Sequence, residues 1–280
     1  MKLLFNIYYI PVKRIYLIYF LFFCYLPDTI ASNDLVPIGA RSSGMANAGV
    51  MLPDFSSVFH NQAGLAFLES ASIAFHHRSG FVKETDRQAL AVFVPTSTGT
   101  LASSFSYYGY SHYHETKVGL AYGRYLARNL AAGVQIDYFN TRIAGIYGKA
   151  DILTFEAGLM YKMMDHLYIG THVFNPVRMG IGEVEEKIPT VFRLGVGYHF
   201  TENVLLCLEA EKDLEKEMVP RIGIEYQPVG SFFLRSGMSA NPVMNFFGLG
   251  YAWKSFHADV AFSYHQILGY LPDFSFRYEF

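Results

Sequence analysis

The sequence predicts an all-β fold, a transmembrane outer-membrane β-barrel of about 14 antiparallel strands with a short N-terminal hatch. Three observations predict it. Charged residues make up 16% of the 280, against roughly 25% in soluble domains, while Phe, Tyr and Trp reach 17%. Short segments alternate apolar and polar residues at period two. Short and long links also alternate along the chain, as short periplasmic turns and longer outer loops require. The aromatic content excludes a disordered chain. With 22 Lys+Arg against 24 Asp+Glu the net charge is −2, and no basic block marks a nucleic-acid partner. No cofactor motif stands out.

The N-terminus reads as an export signal. Lys2, Lys13 and Arg14 precede an apolar run of 12 residues, Ile15 to Leu26. Such a run is too short for a spanning helix and fits a signal-peptide core. Thr29-Ile30-Ala31 supplies the small residues of a cleavage site after Ala31. This divides the chain into a signal peptide at 1–31, a hatch at 32–68 and a barrel at 69–280. An uncleaved anchor is the alternative. Phe22-Phe23 before Cys24 argue against a lipidated cysteine, and cleavage leaves Cys207 as the single thiol.

Beyond residue 70 the strands are legible. Phe192 to Phe200 places large apolar side chains at every even position, and Arg221 to Tyr226 and Phe274 to Phe280 alternate likewise. Side chains on a strand point to opposite faces, so each strand has one greasy and one polar face. Short turns fall at Pro95–Gly99, Ala127–Asn129, Met163–Asp165, Thr201–Asn203, Gln227–Gly230 and Lys254–Ser255. Longer links fall at Gly80–Asp86, Ser111–Glu115, Arg142–Lys149, Asn175–Lys187, Asp213–Glu217, Ser239–Val243 and Ile267–Asp273. Thirteen links join fourteen strands.

Five G-x-x-Y repeats end in Tyr122, Tyr161, Tyr198, Tyr226 and Tyr251, each close to a short turn. A spacing of three puts Gly and Tyr on opposite faces, so the glycines face the lumen and the tyrosines form an aromatic girdle at headgroup depth. A soluble β-protein with Tyr corners is the competing reading. The terminal Tyr278 and Phe280 favour the barrel, because such barrels commonly end in an aromatic residue read by the assembly machinery.

With the apolar face outward, the inner face collects Asp137, Arg193, Glu209, Glu211, Arg221, Glu225, Arg235, Asp259, Arg277 and Glu279. Both signs sit on neighbouring strands, which predicts cross-strand ion pairs stiffening the wall, with a selectivity lining as the alternative. A fourteen-strand lumen is too wide for wall side chains alone, and Ser32–Leu68, rich in Gly, Ala and Ser, is placed to fold inward.

Gly39-Ala40-Arg41-Ser42-Ser43-Gly44-Met45-Ala46-Asn47-Ala48, followed by Asn61-Gln62-Ala63-Gly64-Leu65, resembles the start of FadL-like outer-membrane proteins. That superfamily holds long-chain fatty-acid and hydrocarbon transporters and the PorV/PorQ-type proteins of type IX secretion. The matched hatch residues are Gly39, Ala40, Arg41, Gly44, Met45, Ala48, Asn61, Ala63, Gly64 and Leu65. Gln62 stands where the pattern has proline. The longest outer link has 13 residues, and this short-looped build looks closer to the PorV/PorQ-like branch.

Chemistry elsewhere is thin. Ser111-His112-Tyr113-His114-Glu115 lacks the third ligand a metal needs, and reads as a polar loop. Ser263 and His265 lie two residues apart on one strand, roughly 7 Å and beyond hydrogen-bond reach, so a lipase pair is not expected. The expected function is non-enzymatic: a channel for small hydrophobic compounds plugged by its N-terminal segment, with Phe55, Phe59, Leu65, Phe67 and Leu68 lining an apolar site. The alternative is a partner or scaffold barrel for a secretion or surface-assembly system, contacted through the link opened by Asn175-Pro176. Outer-membrane lipid, a hydrophobic small molecule and a secretion-system protein are the partners these readings imply, in the outer membrane of a Gram-negative bacterium.

Overall fold

The computed structural model describes residues 37–145, 148–179, 188–267 and 269–280. The signal peptide, its cleavage site and the boundary at residue 32 lie outside these residues, as does the 180–187 part of the longest link.

Among the described residues, fourteen strands close into one antiparallel barrel in which each strand pairs with its sequence neighbours. They are β1 (Ser72–Arg78), β2 (Arg87–Thr96), β3 (Gly99–Tyr110), β4 (Tyr113–Ala127), β5 (Leu130–Ile143), β6 (Lys149–Met164) and β7 (Leu167–Phe174). Then follow β8 (Val191–Thr201), β9 (Val204–Asp213), β10 (Val219–Val229), β11 (Phe232–Ser239), β12 (Met244–Trp253), β13 (Phe256–His265) and β14 (Gly269–Glu279). β1 closes the cylinder against β14, from Ser72 opposite Glu279 to Arg78 opposite Asp273. The Phe280 amide donates to the Ala71 carbonyl at 2.9 Å, which ties the last residue to the approach of β1. Closure leaves no sheet edge, so every strand finds backbone partners on both sides.

All six short turns and all seven longer links fall where the sequence places them, with two corrections of length. β3 and β4 run on to Tyr110 and Tyr113, so only Ser111 and His112 turn the chain. β14 begins at Gly269, which puts Asp273 in the wall rather than in a loop. In both cases cross-strand pairing continues past polar residues that read as loop, because their side chains alternate onto the inner face.

The alternation separates two environments. Leu120, Ile136, Leu153, Leu194 and Phe247 project outward and are more than half exposed, making an apolar outer belt. The inward residues are buried, and many are polar or charged. Tyr161, Tyr198, Tyr226 and Tyr251 are exposed, whereas Tyr122 is half-buried, its hydroxyl donating to the Thr98 carbonyl at 2.8 Å.

The inside of the barrel is occupied by residues 37–68. They form helix α1 (Ala40–Gly44), helix α2 (Ser57–His60) and a 3-10 helix at Gln62–Phe67. Gly39 enters α1 at φ +123°, in the region open chiefly to glycine, and a Cβ there would lie 2.9 Å from that of Ser56. Gly39 of the motif is thus spent on turning the chain tightly in a confined space.

An outward Ile136→Arg substitution near the middle of β5 is expected to cost about 2–4 kcal/mol of folding free energy in lipid vesicles. Urea titration of vesicle-embedded protein measures it, and an unchanged midpoint would show that this face does not meet lipid.

Candidate functional site

The inward wall holds residues 37–68 by three kinds of contact. The first is charge. Arg41 of α1 donates from Nε and Nη2 to the Glu225 carboxylate of β10 at 2.9 and 2.7 Å, and from Nη1 to Asp54 at 2.9 Å. Glu225 also accepts from Arg235 of β11 at 2.5 Å, and Arg235 reaches Asp259 of β13 at 2.6 Å. Asp54, Arg41, Glu225, Arg235 and Asp259 therefore alternate in sign across three strands and the inner segment. Arg193 donates to Glu211 at 2.7 Å and to His60 Nδ1 at 3.3 Å, while His60 Nε2 reaches the Ile38 carbonyl at 2.8 Å. Arg78 of β1 grips Asp273 of β14 with two bonds of 2.8 Å, and Ser43 of α1 donates to the same carboxylate at 2.6 Å.

The second is hydrogen bonding between wall and backbone. Glu209 of β9 accepts the Gly49 and Val50 amides, both at 2.8 Å, through one oxygen. The Ala40 amide donates to Ser275 of β14 at 2.8 Å. Asn61 donates to the Val50 carbonyl at 2.7 Å and the Leu159 carbonyl at 3.1 Å, and accepts the Ala63 amide at 3.1 Å. It caps the 3-10 helix and binds β6 with the same amide group.

The third is close approach over glycine. A Cβ on Gly133 of β5 would lie 2.2 Å from the Gln62 backbone carbon, and one on Gly170 of β7 would lie 2.2 Å from the Val50 oxygen. The repeat glycines serve the same end: Gly158 faces Asn61, Gly195 faces Met51, Gly223 faces Met45 and Gly248 faces Gly44. Gly119 instead faces Ser104, Gln135 and Asp137 within the wall.

Gln62, the departure from the motif, is fully buried and donates to Glu156 of β6 at 2.6 Å. A proline has no such donor. Lys117 of β4 also donates to Glu156 and lies 3.3 Å from Asp137, and His172 of β7 approaches Glu156 at 2.9 Å. The predicted charge list thus contains Asp137 but misses its partner Lys117 and, around Lys117, Glu156 and His172, along with Arg78 and Asp273. A signal for two of them was present, since Lys117 and Glu156 each precede a repeat glycine by two and share its inward parity. Arg277 and Glu279 pair at 2.9 Å near the short-turn end, where Glu279 is a third exposed.

The five predicted lining residues do not form one surface. Phe55, Phe59 and Leu65 are packed with Ile38 and Val58 against small residues of the β1–β4 wall, among them Ala74, Ala91 and Ala121. Leu68 lies at the edge of that cluster. Phe67 stands apart, its ring 5.0 Å from that of Tyr125 and 6.2 Å from that of Tyr168. These side chains fill space because facing wall positions are alanines, which leave room that a ring occupies. A different inward apolar patch exists near the long-link end, where Phe139, Ile152, Phe174, Ile188 and Val191 pack together. Lys117 lies beneath it, 5.4 and 5.3 Å from the Phe139 and Phe174 ring centres.

No protein-family model and no curated protein sequence matches the chain. Solved structures do match in fold. The CymD monoaromatic hydrocarbon channel aligns over 89% of this chain and 99% of its own, at 12% identity and a TM-score of 0.69. The Ralstonia pickettii toluene transporter TbuX aligns over 88% and 99%, at 12% identity and a TM-score of 0.68. A Pseudomonas aeruginosa FadL homologue aligns over 89% and 100%, at 13% identity and a TM-score of 0.63. The chain therefore shares the barrel fold of FadL-type channels.

Gly133→Val is expected to overpack the Gln62 contact by about 1–3 kcal/mol and raise the displaced population of the inner segment about tenfold or more. Limited trypsin digestion after Arg41, read against an intact heat-shifted barrel band, measures this. Equal cleavage rates would show that the glycine contact does not hold the segment.

Proposed function

We propose that this protein is an outer-membrane channel for small hydrophobic compounds, with residues 37–68 as the plug of its lumen. The observation that carries the reading is the inward apolar patch of Phe139, Ile152, Phe174, Ile188 and Val191 near the long-link end of the lumen. An inward cluster of that kind contributes nothing to lipid contact, and it lies near the long-link end, where an incoming apolar molecule arrives first. The fold shared with monoaromatic hydrocarbon channels and a toluene transporter supports the same substrate class. The apolar outer belt supports a membrane setting, with the long links outward and the short turns and both barrel ends toward the periplasm. Export through the N-terminal signal is part of the proposal.

In this reading a solute meets the patch first, and Phe55, Phe59, Leu65, Phe67 and Leu68 lie nearer the short-turn end. The secretion-partner reading rested on short links and on closeness to the PorV/PorQ-like branch. That closeness is not supported, since the matching structures named above are hydrocarbon channels and a FadL homologue.

The test is uptake of labelled toluene by intact Gram-negative cells that express the full chain. Expression should speed uptake over an empty vector. Ile152→Asn or Ile188→Asn places an unpartnered amide in the patch at about 1–3 kcal/mol, slowing uptake about tenfold or more. Uptake no faster than the empty vector would sink the channel reading, and native uptake by both variants would sink the role of the patch.

A further inference from the structure

The β9–β14 side of the lumen borders two cavities, the outer of which meets the apolar patch at Val191. The outer one, about 260 Å³, lies near the long-link end and is lined by Pro37, Asn47, Glu211, Arg221, Ser239 and Phe246 among others. The inner one, about 180 Å³, lies near the short-turn end against Arg41, Asp54, Phe55, Arg235, Asp259 and Arg277. Each exceeds the roughly 150 Å³ that accommodates a benzene-sized molecule.

The barrier between them is thin. On β11, Ser239 borders the outer cavity and Arg235 the inner one, a separation of about 13 Å at the usual rise of a strand. The residue midway is Gly237, directly opposite Gly223 of β10, and Gly248 of β12 lies opposite Arg235. Against these three glycines rest Gly44, Met45 and Ala46. A Cβ on Gly237 would lie 2.6 Å from the Ala46 nitrogen, and one on Gly248 would lie 3.0 Å from the Gly44 Cα. The seal is therefore backbone laid on side-chain-free wall, with no wall side chain interlocked at these three positions. Arg41, held by Glu225 two residues along β10 from Gly223, is the charged anchor that seats it on this side. It acts beside Ser43 on Asp273 and the Gly49 and Val50 amides on Glu209.

We propose that this side of the lumen is a second passage, in which two chambers lined by charged and apolar side chains together are divided by the Gly44–Ala46 septum and latched by Arg41, and which admits small uncharged polar solutes. The chambers select that class by their lining. Arg41, Arg235 and Arg277 face Asp54 and Asp259 in the inner chamber, and Arg221 and Lys216 face Glu211, Asp213 and Glu217 in the outer one. Mixed signs favour neither cations nor anions, while hydrogen-bonding groups of both kinds are offered to a neutral solute. The passage rests on the membrane-barrel reading and is independent of the hydrophobic cargo.

Osmotic swelling of proteoliposomes carrying the full chain, in glycerol and in arabinose, tests the passage. Arg41→Ala and Glu225→Ala should each speed swelling severalfold over the native protein. Thr154→Val, on the opposite wall where Thr154 donates to Asn175 and borders neither chamber, should leave the native rate. Adding Ser239→Trp to Arg41→Ala should restore the native rate by filling the outer chamber. Native swelling by Arg41→Ala with an intact heat-shifted barrel would overturn the latch. Equal acceleration by Thr154→Val, or no suppression by Ser239→Trp, would overturn the route. Should Arg41→Ala fail to form the barrel, Glu225→Ala decides the latch by the same readings.

Discussion

Charge buried inside a closed barrel must be paired, because desolvation costs several kcal/mol per ion and an orphaned partner costs about 3–5 kcal/mol. The rest of this structure follows from how that demand is met. Fourteen strands turn their charged residues inward, away from the apolar belt. The wall satisfies part of the demand itself, as in Arg235 with Asp259 and Arg221 with Glu211. The remainder is met by the segment inside, through Arg41 on Glu225, Ser43 on Asp273, Gln62 on Glu156 and two backbone amides on Glu209. Filling the lumen and neutralising it are one structural act.

Steric fit completes what charge begins. Glycines on β4, β5, β7, β10, β11 and β12 let backbone meet backbone, so residues 37–68 lie close against the wall at Gly123, Gly133, Gly170 and Gly223. Helices α1 and α2 have five and four residues, too short to persist in water alone. They persist here because the wall supplies their partners. The Gln62 departure belongs to the same logic, since a side-chain amide anchors the 3-10 helix to β6 where proline has nothing to donate.

The lumen is unlike on its two sides. On β5–β8 an apolar patch lies above the Lys117–Glu156 cluster, whereas the cavities bordered by β9–β14 combine charged and apolar side chains and flank the glycine-backed stretch Gly44–Ala46.

By itself the sequence determined what depends on local periodicity. Alternation from Phe192 to Phe200 set which face is greasy, the turn residues set the strand number, and G-x-x-Y set which glycines point inward. The ten predicted inward charges fall on the inner face by the same parity. Register and the depth of the inner segment were decided only in three dimensions. Asp273 read as loop until pairing with β1 carried β14 past it. Phe55, Phe59 and Leu65 read as a ligand surface until alanines on the facing strands drew them into packing. Neither outcome is local, because which inward residue meets which point of the segment depends on the closure of all fourteen strands, and a single strand carries no record of its neighbours' stagger.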